Sequence, residues 1–179
     1  MTKTEYDYIV VGAGSAGAVL ANRLSESGEY KVLCLEAGTE GSSYFWSRVP
    51  IGMAKLINRP AVNWCFSSEP DEGSGGRRIP IPRGKMLGGS SSINGMVFVR
   101  GQPQDYDHWA QLGNRGWSYS DVLPIFKKME SYDGGSDETR GRNGILRVTD
   151  EAPNICPLHE RMIAAAEKIG IPYTKHYNG

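Results

Sequence analysis

The stretch DYIVVGAGSAGAVLANRLSESGEYKVLCLEAG, residues 7–38, decides the fold of this 179-residue chain. The run from Tyr8 to Val11 is apolar and rich in β-branched residues, which is typical of a strand buried on both faces of a parallel sheet. A glycine turn and an amphipathic pattern that reaches Leu24 follow, and KVLCLE reads as a second buried strand. The stretch therefore predicts a βαβ unit of an α/β domain.

The turn GAGSAG, residues 12–17, matches the fingerprint of a dinucleotide-binding domain. Gly12 makes the turn, Gly14 lets a pyrophosphate approach the backbone, and Gly17 lets the helix pack on the strand. Free N–H groups at the start of the helix favour the phosphates. Glu36 ends the second strand, where its carboxylate accepts ribose hydroxyls and repels a 2′-phosphate, which disfavours NADP. This motif alone leaves FAD and NAD open.

A second glycine-rich segment, RGKMLGGSSSINGMVF, covers residues 83–98. Gly88 and Gly89 permit close backbone approach, and the hydroxyls of 90–92 precede the carboxamide of Asn94 and the small Gly95. Such a segment could hold polar cofactor atoms and form one wall of a flat site. The alternative is a serine-capped helix start that binds nothing.

Composition and charge exclude several classes of function. Hydrophobic residues make up 39% and charged residues 22%, as in ordinary globular proteins, and twenty basic residues balance twenty acidic ones. No net field therefore favours nucleic acid or an anionic membrane. The three cysteines lack metal-ligand spacing, and Cys34 is expected to be a buried free thiol. With neither a signal peptide nor a membrane-length apolar run, the chain is expected to be cytoplasmic.

The rest of the chain predicts short elements around these two motifs. We expect a mostly looped excursion over 41–82 with short strands near 64–66 and 79–82, then helices within 102–113 and 117–132. Pro124 is tolerated only in or near the first turn of its helix. A solvated loop over 133–144, a strand at ILRVTD and a helix from Pro157 to Gly170 complete the pattern.

The segment GKMLGGSSSINGMVFVRGQPQDYD, residues 84–107, resembles the first signature of the glucose–methanol–choline (GMC) family of FAD-dependent oxidoreductases. The order of glycines, small hydroxyl residues, Asn94, Phe98 and Asp107 is kept. The N-terminal stretch, GWSYSDVLPIFKKME, RGRNGILRVTD and PLHERMIAAAEKIGIP are similar as well, so the resemblance covers essentially the whole chain.

The resemblance implies non-covalent FAD. Ser15 and Ala16 would meet the pyrophosphate, and Glu36 with Ala37 the adenosine end. The ribityl chain and isoalloxazine would be approached by Met86, Ser90, Asn94, Gly95, Met96 and Val97. Some family members bond FAD covalently through a histidine where this chain has Ile93. His108, His159 and His176 are expected to be surface or packing residues, and no metal site is expected.

The residues that use the flavin in this family, a histidine paired with a histidine or an asparagine, lie beyond the part that this chain resembles. We therefore expect no catalytic residue here and an incomplete Rossmann-like fold with large exposed apolar faces. A C-terminal segment or a second chain would complete it. Residues 1–150 would form the FAD-binding domain, with the second motif at 83–110, and 151–179 the start of an α+β substrate domain.

The implied reaction is oxidation of a small alcohol by hydride transfer to flavin N5. Two alternatives stay open at this stage: a hydroxynitrile lyase that binds FAD without redox turnover, and a non-catalytic FAD-binding fragment. NAD in place of FAD is the least favoured of the cofactors.

Overall fold

A computed structural model describes residues 5–40, 44–150, 156–174 and 178. The chain divides into two compact units, Met1–Val97 and Phe98–Gly179. We call them the N-terminal unit and the C-terminal unit and describe each by itself. Among the described residues, no helix combines the length and the apolar character needed to cross a bilayer.

The N-terminal unit opens with the predicted βαβ arrangement. Strand β1 (Tyr8–Val11) pairs in parallel with β2 (Val32–Leu35), with Tyr8 opposite Val32, and helix α1 (Ser15–Ser25) connects them. The α1 sequence is alanine- and leucine-rich, and Gly28, with φ +74°, follows its end. This confirms the predicted elements to within a residue or two.

The prediction that both strands of this sheet are buried is wrong. The sheet has two strands, and the side chains of Ile9 and Val11 are 61% and 82% exposed. Cys34, expected to be a buried thiol, is exposed as well. An apolar two-stranded sheet shows such exposure because each strand of a parallel sheet is covered only when further strands and helices flank it. The predicted exposed apolar faces are therefore present.

The segment after β2 contains more structure than the predicted loop. Two 3₁₀ turns, Phe45–Arg48 and Pro50–Gly52, lead into a one-turn helix α2 (Met53–Leu56). Gly52 is buried, and a Cβ there would lie 1.7 Å from the carbonyl oxygen of Trp46, so this position requires glycine. The periodicity missed these turns because each is too short to show one.

A small hydrophobic cluster holds the N-terminal unit together. Its fully or nearly fully buried members are Leu56, Val62, Met86 and Ile93, with Tyr44 and Trp46 packed against them. Beside it, strands β3 (Phe66–Ser67) and β4 (Pro80–Ile81) pair antiparallel where two short strands were expected. The cluster joins the segment after β2 to the second glycine-rich motif.

The C-terminal unit contains the predicted helices, each with a defined start. Helix α3 (Pro103–Gln111) has proline in its first turn, and α4 (Tyr119–Met129) begins with a capping box between Ser118 and Asp121. Pro124 lies inside α4, beyond its first turn. The prediction that this proline is tolerated only in or near the first turn is therefore wrong. Tyr106 of α3 packs edge-on against Phe126 of α4, and this aromatic contact joins the two helices.

The remaining elements of this unit are shorter than predicted, apart from its last helix. Strand β6 (Leu146–Arg147) keeps only two residues of ILRVTD and pairs in parallel with β5 (Glu130–Ser131). Helix α5 (Pro157–Lys168) agrees with the prediction. His108 and His159 are exposed, as expected of surface residues, and His176 lies outside the described residues.

The segment 133–144, predicted as a solvated loop, instead contributes to a buried ion-pair network. Glu130 has no exposed surface and binds the guanidinium groups of both Arg100, at 2.6 Å, and Arg140. The N–H of Gly141 donates to the same carboxylate at 2.9 Å. Each guanidinium also lies over an aromatic ring, Phe126 for Arg100 and Tyr132 for Arg140.

Burial by itself would raise the pKa of Glu130. The hydrogen bonds from Arg140 and Gly141 and the charges of Arg100 and Arg140 outweigh it, so the pKa lies below the ordinary glutamate value. A lowered folded-state pKa adds stability above the ordinary pKa, and this stability is lost as the pH falls through the lowered one.

We expect Glu130→Gln to reduce the free energy of unfolding by about 3–5 kcal/mol, because it leaves two buried guanidinium groups without their carboxylate. Denaturant titration at pH 7 measures this loss, which should shrink as the pH falls below about 4. Asp133→Asn is the control, since its ion pair with Arg147 is exposed and should contribute less than about 1 kcal/mol. Equal losses for the two variants would contradict the assignment.

Candidate functional site

The first glycine turn has the backbone geometry that a phosphate-binding turn requires. Gly12 has φ +93°, which favours glycine, and a Cβ on Gly17 would lie 1.8 Å from the Gly12 carbonyl oxygen. Gly17 therefore serves helix–turn packing, as predicted. No side chain caps the start of α1, and no acidic residue lies in its first turn. The leading N–H groups, those of Ser15 and Ala16 among them, are thus available to an anion.

Gly14 differs from its two neighbours in the motif. Its φ of −77° suits any residue, and a Cβ there would meet nothing closer than the Cα of Gly89, at 3.7 Å. The protein's own packing therefore does not require glycine at this position. Any side chain at this position would occupy the open space at the start of α1. This fits the predicted role, in which a pyrophosphate approaches the backbone here.

Glu36 lies where the sequence places it, but its carboxylate already has two backbone partners. One oxygen accepts the N–H of Ala13 and the other the N–H of Gly38, both at 2.9 Å. The side chain thus ties the end of β2 to the glycine turn. Each oxygen retains a further lone pair for a ribose hydroxyl, and the neighbouring Ala37 is exposed.

The second motif packs directly against the first. The N–H of Gly88 donates to the carbonyl of Ala13 at 2.9 Å, and the N–H of Leu87 to the carbonyl of Thr39 at 3.1 Å. A Cβ on Gly89, where φ is +55°, would lie 2.8 Å from the Cα of Gly14. The Gly-Gly pair therefore serves contact between the two motifs. The sequence assigned both motifs to one cofactor but contained no signal for this backbone contact.

The three serines of the second motif bond within their own segment. Ser90 Oγ accepts the N–H of Gly84 at 3.1 Å, Ser91 Oγ donates to Gly88 O at 2.6 Å, and Ser92 Oγ donates to Leu87 O at 2.8 Å. These bonds close a 3₁₀ turn over Gly89–Ser92. The motif therefore forms a 3₁₀ turn and does not itself begin an α-helix. Ser90 is exposed and keeps its hydroxyl proton for a ligand.

Met86 and Ile93 point away from the exposed side of the motif. Both side chains lie in the hydrophobic cluster, Met86 without exposed surface. A contact between Met86 and a cofactor would therefore have to come from its backbone. Ile93 replaces a histidine that could bond a flavin, and its burial shows that this position serves packing here.

The segment 94–97 is the most open part of the motif. All four of its residues are exposed, and Val97 is 75% exposed. Met96 has the left-handed φ of +59°, and its N–H donates to Oδ1 of Asn94 at 2.9 Å. A left-handed conformation is strained for a methionine, and such strain clusters at ligand-binding sites.

A cavity of about 160 Å³ adjoins this open segment. One wall is the second motif, through Ser91, Ser92, Asn94 and Met96, and the other is the segment of the two 3₁₀ turns, through residues 46–50 and Met53. The sequence did not identify this second wall. The sequence predicts a loop for its aromatic and basic residues, Trp46 and Arg48.

The described residues contain no group of three or more His, Cys, Asp or Glu side chains that could hold a metal ion. The polar groups that the two motifs do provide are backbone amides, serine hydroxyls and the Glu36 carboxylate.

A sequence profile of the GMC oxidoreductase family matches residues 6–179. The chain belongs to the GMC oxidoreductase family. This confirms the resemblance found in the second motif and the α/β fold of the FAD-binding part of that family.

Among GMC relatives, the oxygen-dependent choline dehydrogenase of Brucella anthropi is 45% identical over 175 residues, which are 98% of this chain and 32% of the relative. The enzyme of the same name from Photobacterium profundum is 46% identical over 177 residues, 98% of this chain and 31% of the relative. The chain thus spans about a third of the length of the curated relatives it matches.

Two solved structures support the family assignment and the fold. Pyridoxine 4-oxidase from Mesorbium loti superposes with a TM-score of 0.90 at 34% identity, over 97% of this chain and 34% of that one. An FAD-dependent oxidoreductase from Chaetomium thermophilum has a TM-score of 0.81 at 31% identity, over 98% of this chain and 31% of that one. The predicted cofactor is the one that this second protein's description names.

Gly14→Ala tests whether the pyrophosphate of FAD occupies the space at the start of α1. The variant should fold with a loss of less than about 1 kcal/mol, because its Cβ makes only an ordinary contact. Its affinity for FAD should fall by roughly tenfold or more, because the methyl group occupies the space of the pyrophosphate.

Gly28→Ala is the matched control. It places a Cβ in open space at a φ of +74°, so it should cost about 1–2 kcal/mol of stability and leave the FAD affinity unchanged. Fluorescence titration with FAD and thermal unfolding measure both quantities. Wild-type affinity in Gly14→Ala would contradict the assignment.

Proposed function

We propose that this chain is the FAD-binding part of a GMC flavoprotein that oxidises a small alcohol. The observation that supports this most is the contact between the two motifs, since the Gly14 space at the start of α1 lies beside the second motif. That arrangement provides a continuous surface on which an extended dinucleotide can lie. The family membership supports FAD as that dinucleotide.

Different residues would bind different parts of the cofactor. The adenosine end would lie at Glu36 and Ala37, and the pyrophosphate at Gly12, Gly14 and the N–H groups of the first α1 turn. The ribityl and isoalloxazine parts would lie along the second motif, on the backbone of Met86, the Ser90 hydroxyl and the exposed residues Asn94, Gly95, Met96 and Val97. These assignments stay predictions, and the exposure of the last four residues is what supports them.

FAD, when bound, accepts a hydride from the alcohol carbon. This chain's own residues would hold and orient the cofactor. We place none of them in the role of the base that removes the hydroxyl proton. In the family that base is a histidine, paired with a histidine or an asparagine, outside this part. Catalysis would therefore need the segment that the relatives contain beyond the matched third of their length.

The relatives' names favour a small alcohol as the substrate. Choline and pyridoxine are both alcohols, and both names belong to proteins that match nearly the whole chain. None of the relatives reported above is a hydroxynitrile lyase. We further propose a cytoplasmic location, and a substrate domain that begins near residue 151; residues 151–155 lie outside the described ones.

Extraction of the full-length protein tests the cofactor and the reaction together. The purified protein should be yellow, and heat should release FAD, identified by mass, with no remaining covalent flavin. Under anaerobic conditions a panel of small primary alcohols should bleach the flavin absorption. Release of a nicotinamide dinucleotide would contradict the cofactor, and a bound flavin that no alcohol reduces would contradict the reaction.

A further inference from the structure

The start of the second motif pairs with the segment that precedes strand β3. Gly84 forms an antiparallel bridge with Asn63, and the N–H of Trp64 donates to the carbonyl of Arg83 at 2.9 Å. The ladder is interrupted at the next residue, because Cys65 has the left-handed φ of +52°. Regular pairing resumes between β3 and β4. The backbone N–H groups at the interruption lose their ladder partners and need others.

Asn63 supplies these partners from a buried position. The residue is 2% exposed, and its Oδ1 accepts the N–H of Arg83 at 2.8 Å and that of Cys65 at 2.9 Å. Its Nδ2 donates to the carbonyl of Ile57, the residue that follows α2. One carboxamide therefore ties the first residue of the second motif to the end of α2. The contact needs an acceptor with two lone pairs and a donor on one short side chain, and asparagine provides both at this length.

Gly84 lies directly against the 3₁₀ turn of the second motif. Its N–H donates to Oγ of Ser90 at 3.1 Å, and a Cβ on Gly84 would lie 2.1 Å from the carbonyl oxygen of Gly89. Gly89 in turn lies against Gly14, where the pyrophosphate is proposed to bind. A displacement of Arg83 and Gly84 would therefore move both the Ser90 hydroxyl and the contact between the two motifs.

We propose that Asn63 is a positioning residue for FAD: by holding the Arg83 amide at the end of α2, it sets Gly89 and the Ser90 hydroxyl where the pyrophosphate and the ribityl chain require them. This rests on the proposed function, which places FAD on the two motifs. Asn63 is buried and touches no cofactor in this assignment, and every residue in this series of contacts belongs to the N-terminal unit. Without Asn63, FAD binding would itself have to order the 3₁₀ turn, and that cost lowers the affinity.

The test compares Asn63→Ala with Asn63→Asp in the full-length protein. Alanine removes all three hydrogen bonds. Aspartate keeps the accepting oxygen and loses only the donor to Ile57. Ser74→Ala is the matched control, because Ser74 is also a buried polar residue of the N-terminal unit, and its hydroxyl bonds to backbone carbonyls within the loop between β3 and β4, outside both motifs.

The readouts are the FAD dissociation constant, from titration of the deflavinated protein, and the melting temperature in excess FAD. We expect Asn63→Ala to bind FAD about five- to tenfold more weakly, the effect of one or two lost hydrogen bonds, and to melt at a lower temperature. Asn63→Asp should also melt at a lower temperature but keep an affinity within about twofold of the wild type, because its contact with the Arg83 amide remains. Ser74→Ala should lower the melting temperature and leave the affinity unchanged.

Two further measurements show whether Asn63 acts through the second motif. In a double-mutant cycle with Ser90→Ala, the double variant should bind FAD more tightly than the product of the two single effects predicts, because part of what Asn63 positions has already been removed. In the FAD-free wild type, the Arg83 amide should exchange its hydrogen slowly, because Asn63 holds it before the cofactor binds. The exchange measurement decides the question if the alanine variant does not fold.

Four results would overturn the inference. The first is wild-type affinity in Asn63→Ala with a lower melting temperature, which would make Asn63 a support of the N-terminal unit alone. The second is an equal loss of affinity in the alanine and aspartate variants, which would assign the effect to the bond with Ile57. The third is rapid exchange of the Arg83 amide, or a double variant that shows the full product of the single effects. The fourth is a wild-type protein without flavin, which contradicts the proposed function first and this inference with it.

Discussion

The backbone contact between the two glycine-rich motifs is the constraint on which the site depends. The carbonyl of Ala13 accepts the N–H of Gly88, and Gly89 approaches Gly14 so closely that a Cβ would collide with it. Loop 36–39 is joined to the same assembly, since a Cβ on Gly38 would lie 1.9 Å from the Lys85 carbonyl oxygen. Three backbone segments thus meet with almost no side chains between them. A dinucleotide that needs main-chain donors over a long path requires such a surface.

The small hydrophobic cluster keeps this polar surface in place. Met86 and Ile93 belong to the second motif by sequence, yet their side chains pack against Leu56 and Val62. The motif therefore has two faces, one that packs in the cluster and one that is exposed. Alternation between them explains why buried and exposed residues follow one another so closely between Met86 and Val97. In the proposed assignment, Met86 would therefore contact the flavin through its backbone, because its side chain is buried.

Long-range polar contacts order the C-terminal unit, and the sequence did not reveal them. The loop 133–144 has the composition of a solvated turn, but Arg140 is buried on Glu130. A charge pattern in the sequence cannot show which arginine forms a buried ion pair, because the tertiary fold, and not the spacing along the chain, determines its partner. The same holds for Asn178, whose bonds to Phe98 and Arg100 span about eighty residues.

The sequence by itself determined the βαβ unit, the two motifs, the helices and the family, because glycine spacing, apolar periodicity and helix caps are local signals. It also identified Gly17, where a Cβ would collide with the Gly12 carbonyl oxygen, and Gly14, whose predicted contact with a pyrophosphate stays a prediction. Only the tertiary structure decided that Glu36 ties the turn to β2, that Cys34 is exposed, and that the segment of 3₁₀ turns forms a wall of the cavity. The reason is that burial and hydrogen-bond partners depend on which distant segments meet, and a residue's neighbours in the chain do not specify them.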